Sequence, residues 1–246
     1  MVRALRQGMD EPLPPWAVER AGPDCLPKQA FDIDELFRRL RVHCARLPRA
    51  ALFELRDRGY ARPFELLVAA VISVRTRDEV TIRVAPALLD RARTPEEMLA
   101  IPEEELATLL SPATFAETKA RHIRQISALL LERHGGCVPS DARALRALPG
   151  VGPKVANIVL ATAFHQPAIA VDIHVHRITR RWGYTDAPTP EKTEEQLRAK
   201  LPREYWVEIN ERLVPFGKFV CTGQRPRCND CPLLTLCRQV GVADHR

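Results

Sequence analysis

The sequence predicts an all-α protein, and three observations support this prediction. From Phe31 onward, apolar residues recur mostly at helical spacing, as in Ile33, Leu36, Phe37 and Leu40. The alternation of apolar and polar residues that is typical of a half-buried strand is nearly absent. Prolines recur at helix-length intervals, where a proline begins a helix or stops its continuation: Pro63, Pro86, Pro95, Pro102, Pro112, Pro139, Pro149, Pro153, Pro167, Pro190 and Pro202. We therefore expect about ten helices.

Residues 1–30 differ from the rest of the chain. They contain five prolines among charged and small residues, a composition that predicts an extended or disordered arm. The segment is not rich in serine and shows no clear amphipathic face, so we do not expect a transit peptide. We exclude it from the predicted fold.

Composition limits the class of protein. The chain has 246 residues, 46% of them hydrophobic, yet no run of about 18 apolar residues, so we expect one large core or two modest ones and no membrane span. No charged start followed by an apolar stretch is present, which favours the reducing interior of the cell and the cytoplasm. A net charge of +6 indicates a polyanionic partner only weakly, because an ordinary basic surface has the same balance.

Four cysteines close the chain at an unusual spacing. Six residues separate Cys221 from Cys228, two separate Cys228 from Cys231, and five separate Cys231 from Cys237. Four thiolates so close in sequence can hold a soft metal centre, which means iron–sulfur, zinc or copper(I). Structural zinc usually takes two closely spaced pairs, whereas only one C-x2-C pair is present, so a [4Fe-4S] cluster fits better. Zinc, and cysteines without a metal, remain open.

A glycine-rich turn lies in the middle of the chain. One helix is predicted to end near Leu148 and the next to begin at Pro153, with Gly150, Val151 and Gly152 between them. The two glycines can adopt left-handed backbone angles, so the N–H groups of the turn can approach a phosphate oxygen closely. The pattern predicts a helix–hairpin–helix that grips the DNA backbone without reading bases. An ordinary turn between helices is the alternative.

The hairpin and the cysteine pattern together resemble the endonuclease III family of DNA glycosylases. In that family the catalytic lysine follows the second hairpin glycine by two positions, which corresponds to Lys154 here. Relatives that remove a base without cutting the strand lack this lysine, so its presence implies combined glycosylase and AP-lyase activity. The positive end of the helix dipole disfavours an ammonium at this position and so favours a nucleophilic amine. A lysine that only contacts phosphate is the alternative.

A second segment also matches the family. The sequence V-D-I-H over residues 171–174 places Asp172 at the position of the family's catalytic aspartate. A carboxylate there can accept a proton from the attacking amine and stabilise positive charge on the sugar. A simple N-cap for the following helix is the alternative. For His174 and His176 we expect packing or hydrogen bonding rather than metal ligation.

The resemblance also indicates residues that open the duplex. Family members carry them after an early helix and before a Lys-Ala dipeptide, which here correspond to residues 71–78 and 111–120. Phe115 is then the wedge that replaces lost stacking, and Arg75 and Arg77 are further candidates for contact with DNA. The alternatives are a core position for Phe115 and a solvated helix end for the arginines.

The family fold implies two helical domains that flank a DNA-binding cleft. Residues 56–166 would form a helical barrel with the hairpin, and residues 31–55 with 167–246 would form the iron–sulfur cluster domain. The resemblance places Arg225 and Arg227 on a cluster loop that contacts phosphate, with ordinary surface charge as the alternative.

The leading hypothesis is a monomeric base excision repair enzyme, associated with the nucleoid. It would remove oxidised pyrimidines from double-stranded DNA and then nick the strand by β-elimination through a lysine Schiff base. It would also nick the strand at abasic sites. A monofunctional mismatch or adenine glycosylase and a catalytically weak damage-binding paralogue are the alternatives. Three departures from the family pattern affect the wedge and the base pocket: Thr114, Pro153 and Val155.

Overall fold

A computed structural model describes residues 28–246 of the chain. Within this range every regular element is a helix, so the all-α prediction is confirmed, and none of these helices is long and apolar enough to cross a membrane. The helices of this range, numbered in chain order, are α1 (Ile33–Cys44), α2 (Ala51–Asp57), α3 (Pro63–Ser73), α4 (Asp78–Leu89), α5 (Pro95–Ala100), α6 (Glu103–Leu110), α7 (Ala116–His134), α8 (Ala142–Arg146), α9 (Pro153–Ala163), α10 (Ile173–Trp182), α11 (Pro190–Lys200) and α12 (Glu208–Phe219). The arm predicted over residues 1–30 lies outside the described residues except for its last three, which have no regular structure.

Prolines and short polar side chains begin many of these helices. A proline stands at the start of α3, α5, α9 and α11, as the sequence predicts, because it has no N–H to leave unpaired there. Other helices begin at a side chain that accepts backbone N–H bonds from the first turn. These N-cap residues include Asp32 for α1, Asp141 for α8 and Asp172 for α10.

Pro86 contradicts the prediction that these prolines begin or end helices, because it lies inside α4. An interior proline removes one helix hydrogen bond and costs about 3 kcal/mol. The same helix buries Val84, Ala85, Leu88 and Leu89 in the core. Burial of large aliphatic side chains contributes about 1.5–3 kcal/mol each, so packing offsets the cost of the proline.

The buried apolar side chains form two cores. The first core is built by α2 to α9 and includes Phe53, Leu67, Leu106 and Ile158. The second core is built by α1, α10, α11, α12 and the chain after α12, and includes Phe37, Trp182, Phe216 and Leu236. Val214 of α12 belongs to the first core, so α12 contributes to both.

Candidate active site

The glycine turn between α8 and α9 is a tight hairpin. Gly150 has a φ of +76°, in the left-handed region that glycine adopts without strain. A Cβ atom at this position would lie 2.5 Å from Nδ1 of His122 on α7. Both the backbone angle and the close approach of His122 therefore require glycine.

Gly152 does not use the left-handed backbone angles that glycine allows. It is the N-cap of α9 with an extended backbone, φ −85° and ψ −179°, rather than a left-handed one, because the residue before a first helical turn is normally extended. A Cβ atom here would have no neighbour within 4 Å. The fold itself does not require glycine at this position, so the glycine keeps the outer side of the hairpin open.

The hairpin uses one of its backbone N–H groups internally. The N–H of Val151 donates to the carbonyl of Leu148 at 3.2 Å, and the Val151 side chain is buried. The N–H groups of Gly150 and Gly152 have no hydrogen-bond partner among residues 28–246. The donors of the two glycines are therefore available to an external anion.

Lys154 is the second residue of α9 and is half-buried. Its side chain lines a solvent-open cleft of about 910 Å³. Within the described part of the chain, its amine has no hydrogen-bond or ion-pair partner. The lysine thus lies at the start of a helix, directly after the hairpin, and lines the cleft.

Asp172 also lines this cleft. Its Oδ1 accepts hydrogen bonds of 2.9 Å from the N–H groups of His174 and Val175, so it is the N-cap of α10. The cap uses one carboxylate oxygen only. The N-cap interpretation is therefore correct, and it leaves Oδ2 available for chemistry in the cleft.

Two buried asparagines fix the extended segment that leads to Asp172. Asn157 on α9 donates to the carbonyl of Ile169 at 2.9 Å, and Asn210 on α12 donates to the carbonyl of Ala170 at 3.0 Å. Because Asn157 is three residues after Lys154, α9 carries the lysine and also holds the segment of the aspartate. Buried hydrogen bonds therefore fix the segment of Asp172 relative to the helix that carries Lys154.

An ion pair borders the cleft. Asp78 at the start of α4 accepts a 2.7 Å bond from Lys218 on α12.

His174 lies close to this ion pair. Burial lowers the pKa of His174, and its Nδ1 is 3.1 Å from Nη2 of Arg177. His176 bonds Thr193 at 2.7 Å, so both histidines make hydrogen bonds as predicted.

The predicted wedge and its arginine neighbour are adjacent. Phe115 is 57% exposed, which excludes the alternative of a core aromatic. The guanidinium carbon of Arg75 lies 5.9 Å from the centre of the Phe115 ring. Arg75 and Arg77 are both exposed and line the cleft that contains Lys154.

The four C-terminal cysteines surround one small cavity, together with Trp182 and other apolar side chains. All four are free thiols. Two of their sulfur atoms receive N–H donors, from Arg181 to Cys221 Sγ at 3.3 Å and from the Gln239 backbone to Cys237 Sγ at 3.4 Å. Donors directed at sulfur are the surroundings that ligand thiolates take in iron–sulfur proteins.

Burial changes the acidity of two of these thiols. Burial raises the pKa of Cys231 and of Cys237 to about 12, so ionisation of these thiols needs a cation beside them. Among residues 28–246 no group of three or more His, Cys, Asp or Glu side chains is arranged to hold a metal ion.

Arg225 and Arg227 are exposed on the loop between the first two of these cysteines. Arg225 has a φ of +42° and its Nε lies 2.9 Å from a carboxylate oxygen of Asp244. Arg227 donates its backbone N–H to Val220. Neither arginine lines the cleft that contains Lys154.

The sequence analysis missed three residues that line the cleft: Asn210, Lys218 and Phe219. No local pattern distinguishes them, and Asn210 and Lys218 bond partners that are 40 and 140 positions away in the sequence. The sequence feature that they share is their position within the twelve residues before Cys221.

Comparison with known proteins agrees with this geometry. The sequence pattern of the HhH-GPD superfamily of base excision DNA repair proteins matches residues 68–203. Endonuclease III of Thermotoga maritima is 44% identical over 175 residues, which are 71% of this chain and 82% of that protein.

Solved structures are similar as well. A non-covalent endonuclease III–DNA complex superposes with a TM-score of 0.75 at 35% identity, over 84% of this chain and 94% of the other. A trapped covalent endonuclease III–DNA intermediate has a TM-score of 0.68 at 37% identity, over 77% and 93%.

Fold, hairpin and cleft thus define a helix–hairpin–helix repair protein, a class that the superfamily match names directly. Within that class the chain belongs to the endonuclease III family, and the resemblance stated from its sequence is confirmed. It is accordingly a base excision repair enzyme, a DNA glycosylase and AP lyase.

Proposed function

We propose that this enzyme removes oxidised pyrimidines from duplex DNA and cuts the strand through a Schiff base on Lys154, with Asp172 as its acid–base partner. One observation carries the proposal. The free amine of Lys154 and the carboxylate of Asp172 line a single cleft, although they belong to different helices.

The chemistry follows from these two groups. The neutral amine of Lys154 attacks C1′ of the sugar, the glycosidic bond breaks, and the damaged base leaves with its bonding electrons. Asp172 accepts a proton from the amine and stabilises the positive charge that develops on the sugar. The C1′–O4′ bond then breaks, O4′ takes a proton, and the opened sugar is joined to Lys154 through a protonated imine. This iminium acidifies the C2′ hydrogens, so loss of one of them as a proton expels the 3′ phosphate by β-elimination.

DNA binding in this proposal uses the hairpin and the cleft border. The free N–H groups of Gly150 and Gly152 meet a phosphate oxygen at the start of α9. Arg75, Arg77 and Phe115 enter the duplex and fill the space that the extruded nucleotide leaves. The similarity to two endonuclease III–DNA complexes supports this mode of binding.

A [4Fe-4S] cluster bound by Cys221, Cys228, Cys231 and Cys237 is part of the proposal. When bound, it supplies structural stability to a loop with few apolar residues. The loop then holds Arg225 and Arg227 as a basic surface for phosphate. The N–H donors directed at two of the sulfur atoms support this assignment over unligated thiols.

We also propose the division into a helical-barrel domain, residues 56–166, and a cluster domain, residues 31–55 with 167–246. The two cores support it in outline, although Phe53 and Leu55 of α2 pack in the first core, and residues of both cores line the cleft. In this arrangement Lys154 and Asp172 face each other across the cleft, and the enzyme acts as a monomer at the nucleoid.

A lesion-panel nicking assay tests the proposal. Duplexes with one thymine glycol, dihydrouracil, 8-oxoguanine, mismatched adenine or abasic site are incubated with enzyme, and products are separated with and without alkali. We expect base release and nicking on the oxidised pyrimidines without alkali. Release of mismatched adenine, with strand cleavage only after alkali, would instead indicate a monofunctional enzyme. Binding without base release would indicate a damage-binding protein.

A further inference from the structure

Lys119, in the first turn of α7, is buried and charged. Its side chain is only 4% exposed, and burial lowers its pKa to about 8. A buried ammonium is unfavourable unless it is hydrogen-bonded. Its Nζ donates to the carbonyl of Ile72 and to the hydroxyl of Thr76, both at 2.6 Å.

These bonds join two segments that are far apart in sequence. Ile72 lies in the last turn of α3, and Thr76 lies in the short connection from α3 to α4. The backbone N–H of Lys119 donates to the carbonyl of Phe115 at 3.0 Å. Lys119 therefore connects the turn that presents Arg75 to the turn that presents Phe115.

Both of the presented residues have strained backbones. Arg75 has a φ of +52° and Phe115 a φ of +59°, in the left-handed region that bulky residues rarely adopt. Such conformations persist only when their surroundings enforce them, and they cluster at functional sites. The two side chains nevertheless remain exposed and 5.9 Å apart, as measured from guanidinium carbon to ring centre.

We propose that Lys119 is a positioning residue that holds Arg75 and Phe115 together as one preformed unit for opening the duplex. The inference rests on the proposed function, in which this pair enters the DNA. Lys119 itself is buried and does not reach the DNA. It acts by fixing both strained turns before the duplex arrives, so that binding energy is not spent on ordering them.

The experiment compares two substrates that differ in their need for opening. One is a duplex with a paired thymine glycol, and the other is a preformed abasic site opposite a gap. Lys119→Met removes both bonds, and Thr76→Val removes only the bond to the connection that carries Arg75, whereas Thr76→Ser keeps the hydroxyl. Ile123→Ala, a buried change on the same helix, is the control for lost stability alone. Melting temperatures are recorded for every variant.

We expect Lys119→Met and Thr76→Val to lower the rate of excision of the paired lesion by about ten- to hundredfold. This is the size of effect that loss of base stacking or misplacement of an active-site group produces. Cleavage at the abasic site should change only a few-fold. Thr76→Ser should behave like the wild-type enzyme. Ile123→Ala should lower the melting temperature without separating the two substrates.

Phe115→Ala tests the proposed mode of duplex opening separately from the role of Lys119. If it affects both substrates equally, Phe115 is no wedge, and the proposed mode of opening is wrong. If it selectively impairs the paired lesion while Thr76→Val matches wild type on both substrates, the role of Lys119 is wrong and the mode of opening stands. Thr76→Val decides the matter even if Lys119→Met fails to fold.

Discussion

Asn210 donates a 3.0 Å hydrogen bond to the carbonyl oxygen of Ala170, two residues before Asp172. Asn210 lies on α12 and is buried. Together with Asn157 on α9, it determines where the segment before Asp172 runs. The position of the aspartate therefore depends on two helices that lie far from it in the sequence.

Asn210→Ala should impair catalysis and stability together. The change leaves the Ala170 carbonyl buried without its partner, which costs about 1–3 kcal/mol. It also frees the segment, so we expect base excision to fall by about tenfold or more even where the protein stays folded. Thr162→Ala, which removes a buried hydroxyl from α9, is the matched control. Single-turnover excision equal to the wild-type rate in Asn210→Ala would contradict this role.

Asp172→Asn separates capping from chemistry. Asparagine caps a helix as well as aspartate does, so the melting temperature should change little. Loss of the charge should lower base excision by about a hundredfold or more. Asp32→Asn makes the same exchange at the N-cap of α1 and should leave excision unchanged. If both variants excise the lesion at the wild-type rate, Asp172 is a helix cap only.

The cysteine loop should contain iron. Purified protein is expected to be yellow-brown with iron and sulfide bound, rather than colourless with zinc. Cys237→Ser should lower the iron content and loosen the chain after α12. Cys44→Ser changes another free, buried cysteine outside the loop and should keep the full iron content. Stoichiometric zinc without iron, in protein prepared anaerobically, would disprove the cluster assignment.

Lys119 should make stability depend on pH in a defined direction. Its pKa is about 8 in the folded protein, against an ordinary value of 10.5. Between these values the unfolded chain binds more protons, so this residue's contribution to the free energy of unfolding increases as pH rises and is lost as pH falls through about 8. Relative to Lys119→Met, the wild-type protein should gain up to about 3 kcal/mol between about pH 7 and pH 10. Urea unfolding at both pH values measures this, and a constant difference between the two proteins would contradict it.

Local pattern predicted much of the fold. Helical periodicity and prolines at first turns gave the helices, because both act within a few residues. Pro86 departs from the predicted pattern because tertiary packing overrides local propensity in α4. The extended backbone of Gly152 follows from its position as the N-cap of α9.

The candidate site was predictable only in part. Lys154 and Asp172 follow from motifs that the resemblance identifies. The contacts that hold them do not, because the pairs Asn210–Ala170, Lys119–Ile72 and Lys218–Asp78 join residues 40, 47 and 140 positions apart. Nothing in the neighbouring sequence of these residues indicates their partners.

Identification of the lysine that forms the Schiff base tests the central claim most directly. Borohydride is added during the reaction with a thymine glycol duplex, the adduct is digested, and mass spectrometry locates the modified lysine. We predict modification at Lys154, and no adduct from a folded Lys154→Gln variant that still binds the duplex. An adduct on Lys218, the other lysine that lines the cleft, or undiminished trapping by Lys154→Gln would contradict the assignment.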